Sequence, residues 1–298
     1  MAIQTVRAQV NGTWHTLTYD SASSSYKATI TAPGATSFNQ TGGYYNVTVE
    51  ATNDAGTTGT ANGTTLSGLR LVVKEKVAPI ITIISPSAGA SVTNNKQTIV
   101  FTVTDEEGGS GVNANSLVVK VDGTAVTGAV QETVTNGFKF TYTPTTALSD
   151  GSHTVTITCS DNDGNAATAK SVSFKVDTVP PTLNVSAPTA GLVTNTAGLT
   201  LRGTTNDTTS SPVTVKITLN GTDQGTVTVG SDGSFTKALT LVAGTNTIVV
   251  TATDAAGKSS TVSRTVTLDT SVPTIKSATI TPNPVDAGAT MVISVVIQ

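Results

Sequence analysis

Apolar and polar side chains alternate with period two in three runs of this chain: Tyr45, Val47, Val49, Ala51; His153, Val155, Ile157, Cys159; and Asn246, Ile248, Val250, Ala252. Period two over this length predicts a strand with one face buried. Each run begins just after a glycine and closes on a second glycine thirteen positions later, Gly43 to Gly56, Gly151 to Gly164 and Gly244 to Gly257. Before the closing glycine stands an acidic or amide-rich turn: Asn53-Asp54-Ala55, Asp161-Asn162-Asp163, Asp254-Ala255-Ala256. Asx side chains and a glycine able to take positive φ predict a tight turn into the next strand. Recurrence of the whole unit predicts a row of similar modules.

The remaining pattern fills out these modules. Val6, Ala8 and Val10 alternate up to Asn11-Gly12, a two-residue hairpin signal, and Thr13 to Tyr19 returns. That turn sets Val10 opposite Thr13, Ala8 opposite His15 and Val6 opposite Leu17, which places Trp14 on the outward face. A strand through Tyr26, Ala28 and Ile30, a loop from Pro33 to Gly43 and a last strand near Leu69, Leu71 and Val73 complete the first module. The second opens through Ile81 and Ile83, turns at Pro86-Ser87-Ala88-Gly89, and continues with strands at Thr98–Thr104, Leu117–Val121 and Gly137–Tyr142 around an acidic glycine loop, Asp105 to Val112. The third repeats the plan, with Pro188-Thr189-Ala190-Gly191 and strands at 213–219, 225–229 and 235–239. Junction prolines Pro79, Pro181 and Pro273 divide the chain into 1–78, 79–180, 181–272 and a partial unit, 273–298. Seven short strands per module with regular turn signals predict an all-β chain of two-sheet sandwiches.

Composition agrees: charged residues are 12%, and no stretch carries apolar residues at helical spacing. Aromatics at 4% and a net charge of −3 offer neither a stacking platform nor a phosphate-binding surface, which argues against nucleic-acid binding. The acid is concentrated in 79–180, with nine acidic and five basic residues. The single cysteine, Cys159, lies on the inward phase of its strand and reads as a buried apolar side chain. The N-terminus runs straight into alternation, without the pattern of a signal peptide or a transmembrane segment.

The segment Gly244-x-Asn246-x-Ile248-x-Val250-x-Ala252-x-Asp254-x-x-Gly257, its two relatives, and the junctions Asp177-Thr178-Val179-Pro180-Pro181-Thr182 and Asp269-Thr270-Ser271-Val272-Pro273-Thr274 resemble tandem bacterial immunoglobulin-like (Big-type) modules. Such modules occur in phage tail and baseplate proteins and in surface adhesin stalks. The first module, from Asn11-Gly12 to Val49, and the segment Pro282 to Gly288 look more like the phage tail-associated proteins. The resemblance implies tandem immunoglobulin-like β-sandwiches arranged as an elongated rod. At about 40 Å per sandwich, three modules would span roughly 120 Å.

Candidate chemistry is sparse. His153 aligns with Tyr45 and Asn246 and reads as a polar corner residue bonding a nearby backbone group, as in related sandwiches. His15 has no visible partner for a metal. No phosphate-binding glycine loop and no strand–helix nucleophile elbow is present, and catalysis is not expected. Two loops and the incoming linker of the second module emerge at one end, gathering Glu75, Asp105, Glu106, Glu107, Asp161 and Asp163. Hard oxygen donors from three segments suit a Ca²⁺ ion at the domain junction. The alternative is that Asp161 and Asp163 make Asx turns while Glu106 and Glu107 are solvated or pair with Lys74 and Lys76. Asp177, Asp207 and Asp254 form a thinner version at the next junction. Trp14 and Tyr44, both outward, are candidates for a binding surface, stacking on a sugar or anchoring a protein.

The expectation is a non-enzymatic structural and adhesion protein displayed on a phage virion, made without a signal peptide and partnered by other virion or surface proteins, by a host-surface glycan or by a host-surface protein. Alternatives are the stalk of a bacterial cell-surface adhesin and a carbohydrate-binding appendage of a secreted glycoside hydrolase. Met291, Ile293, Val295 and Ile297 share one strand face, with Val292 and Val296 on the other. Residues 274–298 are therefore expected to pair with another chain, making a homo-oligomer, or with the preceding module, unless a fourth domain is cut here.

Overall fold

A computed structural model describes residues 2–298. The chain forms two compact units, divided between Asp177 and Thr178. Strands dominate; the one helical element among the described residues is a single 3-10 turn at Ser67–Leu69. No helix among them is long and apolar enough to cross a membrane.

Residues 79–177 form a two-sheet sandwich. One sheet runs from edge to edge as Ser91–Val92, Lys170–Val176, Gly151–Asp161, Val112–Val121 and Thr124–Val126, the other as Val130–Val134, Gly137–Tyr142, Ile99–Thr104 and Ile80–Ser85. The period-two pattern puts Ile99, Phe101 and Val103 of one sheet against Val155, Ile157, Phe174 and Val176 of the other, all essentially inaccessible to water. Phe101 also stacks on Phe140, with ring centroids 5.2 Å apart. Cys159 is buried in this core, and burial pushes its thiol pKa up.

The proline turns hand the chain from one sheet to the other. Ile80–Ser85 pairs antiparallel with Ile99–Thr104, and beyond Pro86 the chain resumes at Ser91–Val92, parallel to Lys170–Val176 in the opposite sheet. Gly89 makes the crossing at a φ of 72°, a conformation that disfavours any side chain, and its N–H donates to Ser173 O at 2.8 Å. Gly191 does the same in the second unit, at φ 74° with a bond to Thr265 O. There Thr182–Ala187, Gly198–Asn206 and Ser234–Thr240 face a five-stranded sheet of Leu192–Thr194, Ser259–Leu268, Gly244–Thr253, Thr214–Leu219 and Thr222–Asp223. Leu201, Ile217, Ile248, Val250 and Val266 fill the space between. Of the strand expected at 225–229, only a bridge from Val229 to Phe235 forms, while Thr222–Asp223 pairs with Thr218 and Leu219.

The first seventy residues depart further from expectation. The Asn11-Gly12 hairpin has the predicted register, with Val10 opposite Thr13 and Ala8 opposite His15, in a four-stranded sheet of Thr13–Thr16, Ile3–Val10, Thr48–Asn53 and Thr58–Asn62. Val6 is buried, whereas Leu17 and His15 are only half-buried. In place of long outer strands there are two short pairs, Thr18–Asp20 with Ser25–Lys27 and Tyr45–Asn46 with Arg70–Leu71. The physical reason is a shortage of large apolar residues: Val6, Ala8, Val10 and Tyr45 are the buried hydrophobics here, too few to hold a second full sheet. At the other end, Ile275–Thr281 and Val292–Ile297 pair with each other, and every residue of both strands is exposed.

The corner at the start of each repeated strand is built alike. His153 Nε2 lies 2.7 Å from Ser149 O and its Nδ1 2.7 Å from Asp122 Oδ2. Asn246 Nδ2 donates to Val242 O at 2.7 Å, and Tyr45 Oη donates to Ala35 O at 3.1 Å. Asp122 also takes the Thr154 N–H, as Asn220 takes that of Thr247. The same job is thus done by an imidazole, an amide and a phenol, each tying a strand to the loop before it.

The charged version of this corner carries a pH signature. Burial, the largest influence on His153, lowers its pKa, but the bonds to Asp122 and Ser149 outweigh it and raise the value above the usual 6.5. Its stabilising contribution is complete below pH 6.5 and is lost as pH rises through the raised folded value. Burial likewise opposes ionisation of Asp122, but His153 and Thr154 together hold its pKa below 3.8, and that contribution is lost only in acid as pH falls through the lowered value. Replacing His153 by Asn, the residue of the third repeat, is expected to reduce the fall in melting temperature above pH 6.5, as followed by circular dichroism across pH 5 to 9. An unchanged pH profile would refute the assignment.

Candidate metal centre

Each repeated strand ends on a buried polar residue that closes its own turn. Asn53 Oδ1 accepts the N–H groups of Ala55 and Thr57; Asp161 Oδ1 accepts those of Gly164 and Asn165; Asp254 Oδ1 accepts those of Ala256 and Lys258. In all three the N–H of the Asx residue donates to the carbonyl four positions on. A side chain that satisfies two backbone donors without water explains why this inward position is Asn or Asp and not another apolar residue.

In the second module this turn meets two other segments. The incoming linker lies against it: Glu75 N donates to Asp163 Oδ2 at 3.0 Å, and Asn165 Nδ2 donates to Glu75 O at 3.2 Å. The loop 36–39 of the first module reaches the same place, with Thr36 Oγ1 donating to Asp163 Oδ2 at 2.5 Å and Asn39 Nδ2 donating to Gly109 O at 2.7 Å. Ser110 joins loop and turn: its N–H donates to Glu75 Oε1, and its Oγ accepts Asp163 N at 3.1 Å.

Of the six predicted ligands, three converge. Glu75, Asp105 and Glu106 each present a carboxylate oxygen, and these oxygens lie within 4.8 Å of one another. Asp105 is 8% exposed, with Oδ2 held by Gly111 N at 2.8 Å. The other three predicted residues do not enter the cluster. Asp161 is fully buried, but both its oxygens serve the turn and the Asn165 side chain. Asp163 spends Oδ2 on Thr36 and Glu75 N. Glu107 points to solvent. Among the described residues, no ion pair joins Glu106 or Glu107 to Lys74 or Lys76; Lys74 Nζ donates instead to Asp163 O at 3.0 Å.

Three carboxylates this close cannot all stay charged without a proton or a cation. Glu106, beside the Glu75 carboxylate and partly buried, has its pKa pushed up to about 7. For Glu75 burial is the largest influence and opposes ionisation, yet the neighbouring Glu106 carboxyl and the Ser110 N–H outweigh it and hold the carboxyl below the usual range. Thr36, Asn39 and Ser110 were not legible as parts of this junction, because loop-to-loop contacts across modules leave no periodic trace in sequence.

The outward aromatics are both capped by arginine. The Arg7 guanidinium sits 4.3 Å from the Trp14 ring centre and is paired with Glu50 at 2.7 Å, and Arg70 lies 5.0 Å from the Tyr44 ring centre. Both rings are half-buried, and a cation covers one face of each.

Residues 85–178 match the bacterial Ig-like domain family, and residues 181–270 match glucodextranase, domain B. The protein is thus a tandem immunoglobulin-like β-sandwich protein. No curated protein matches the sequence. Among solved structures, the Clostridium thermocellum CbhA fibronectin(III)-like modules are 17% identical, with 63% of this chain and 94% of theirs covered at a TM-score of 0.40. A 1.5-MDa bacterial ice-binding adhesin is 18% identical over 89% of this chain and 86% of its own, at 0.32. The Bacteroides ovatus mixed-linkage glucan utilization protein SGBP-B, solved with a heptasaccharide, is 17% identical over 94% and 66%, at 0.24. Nothing about function passes from these to the present chain.

Two substitutions separate these roles. Asp161→Ala leaves the Gly164 and Asn165 N–H groups without their acceptor, and the expected loss is at least about 2 kcal/mol in a denaturant titration; a loss within error would exclude the turn-closing role. Arg7→Ala uncovers the sole tryptophan, so acrylamide quenching of its fluorescence is expected to rise and its emission to shift to longer wavelength. Identical quenching would show that the guanidinium does not shield the ring.

Proposed function

We propose that this chain is a non-catalytic spacer and attachment protein, whose immunoglobulin-like modules carry a contact surface on a phage virion toward the host envelope. One observation carries the reading: the polar residues that recur from module to module are consumed by architecture. The corner residues Tyr45, His153 and Asn246 and the turn residues Asn53, Asp161 and Asp254 all bond the backbone of their own module. A histidine beside an aspartate would otherwise invite a catalytic reading, but both ring nitrogens of His153 are occupied and the residue is buried. A chain that repeats its scaffold and not a reactive group serves position and contact. The resemblance of the first module and of residues 282–288 to phage tail-associated proteins supports the virion setting.

A second reading is favoured by one specific finding, the match of residues 181–270 to domain B of glucodextranase. Under it the chain is a carbohydrate-binding appendage of a secreted glycoside hydrolase. Antibody raised against the recombinant chain and applied to the encoding organism and to phage released from it separates the settings. Gold labelling is expected on virion tails; labelling of the cell surface instead would favour an adhesin stalk and overturn the virion reading. A glycan array probed with the same chain would favour the appendage if it gave a defined, saturable sugar.

A further inference from the structure

We propose that Glu75, Asp105 and Glu106 hold a Ca²⁺ ion that ties the linker of the first module to the loop of the second. The cluster by itself would not argue for a ligand, since acidic groups often gather where water can solvate them. Here one oxygen of each carboxylate is covered. Glu75 Oε2, Asp105 Oδ1 and Glu106 Oε2 are each buried, and none has a hydrogen-bond donor. On two of these carboxylates the second oxygen is already engaged, Glu75 Oε1 by Ser110 N and Asp105 Oδ2 by Gly111 N. Burying a carboxylate oxygen without a partner is costly, and three in one cluster repeat that cost. The unmet demand is for positive charge at their meeting point.

The backbone beside the cluster is shaped to leave it room. A Cβ on Gly109 would lie 2.8 Å from Asp105 Oδ2, 2.8 Å from Glu75 Oε2 and 2.9 Å from Glu106 Cδ, so the three acids wrap a residue that has no side chain. Asp105, Glu106 and Gly109 also border a cavity of about 380 Å³, open to solvent, through which an ion can arrive with some of its water. All the donors are oxygen, with no nitrogen or sulfur among them, which selects a hard cation. Two of the three are long glutamate side chains on different segments, a set that can adapt to the six to eight ligands of Ca²⁺ more readily than to the strict octahedron of Mg²⁺. Because Glu75 belongs to the linker and Asp105 and Glu106 to the loop, the ion would bridge them and restrict the hinge between the modules.

The test uses the full chain stripped of metal, titrated with CaCl₂ in a calorimeter beside Asp105→Asn and Glu106→Gln. Wild type is expected to show a Ca²⁺ binding event that Asp105→Asn lacks and that Glu106→Gln weakens by about tenfold or more. Ca²⁺ sites elsewhere in the chain would appear equally in all three proteins and cancel in the comparison. Millimolar Ca²⁺ should raise the wild-type melting temperature more than it raises that of either variant, and MgCl₂ should do so less well. In chelator both variants should melt cooperatively and no lower than wild type, since each relieves the crowding of three carboxyl groups, and this reading confirms that they fold. Titrations that cannot be told apart between wild type and the folded variants would overturn the proposal, as would wild type that takes up no Ca²⁺.

Discussion

Each repeated strand in this protein ends by burying an asparagine or aspartate whose side chain stands in for water at two backbone N–H groups. The constraint is strict because the strand's inward face belongs to the core, where an unsatisfied amide is expensive. Asn53, Asp161 and Asp254 meet it with the same pair of bonds, to the second or third residue on and to the fourth. With the turn fixed in this way, its outer residues project at a defined place. In the second module that residue is Asp163, and the linker and the first module's loop dock on it.

The junction is therefore a consequence of module architecture carried one step outward. Asp161 closes the turn, Asp163 receives Thr36 and the Glu75 N–H, and Glu75 is then held where its side chain must meet Asp105 and Glu106. Hydrogen bonds to backbone fix the positions, and the carboxylates follow. Such a chain of dependence turns three acidic residues that are far apart in sequence into one electrostatic problem. The proposed cation would resolve it and join the two modules more firmly.

Corner chemistry shows how much freedom the scaffold leaves. Tyr45, His153 and Asn246 differ in size and charge, yet each reaches a carbonyl of the preceding loop. What the position requires is one donor on a side chain that enters from the core face, and several residue types supply it. The partner shifts to match: Asp122 beside the histidine, Asn220 beside the asparagine. Only the histidine version makes stability depend on pH near neutrality.

Strand positions, the hairpin register at Asn11-Gly12, the inward phase of Cys159 and the Asx turns were all readable from the sequence, because each rests on local periodicity or on the conformational preference of one or two residues. The sequence also placed Glu75, Asp105 and Glu106 at one end of a module. It could not tell these from Glu107, Asp161 and Asp163, which have the same chemistry and similar spacing. Tertiary structure made that choice: Asp161 was claimed by its own turn, Asp163 by the neighbouring module and Glu107 by solvent. Likewise, outward phase was visible for Trp14 and Tyr44, but not the arginines that cover them, since Arg7 and Arg70 meet those rings only once the strands are paired or the loops closed. Nor could alternation reveal that the first module holds too few large apolar side chains in one place for a second full sheet. Period and turn propensity act within a few residues and survive in the sequence, whereas competition among like charges for backbone donors is settled only when distant segments share one space.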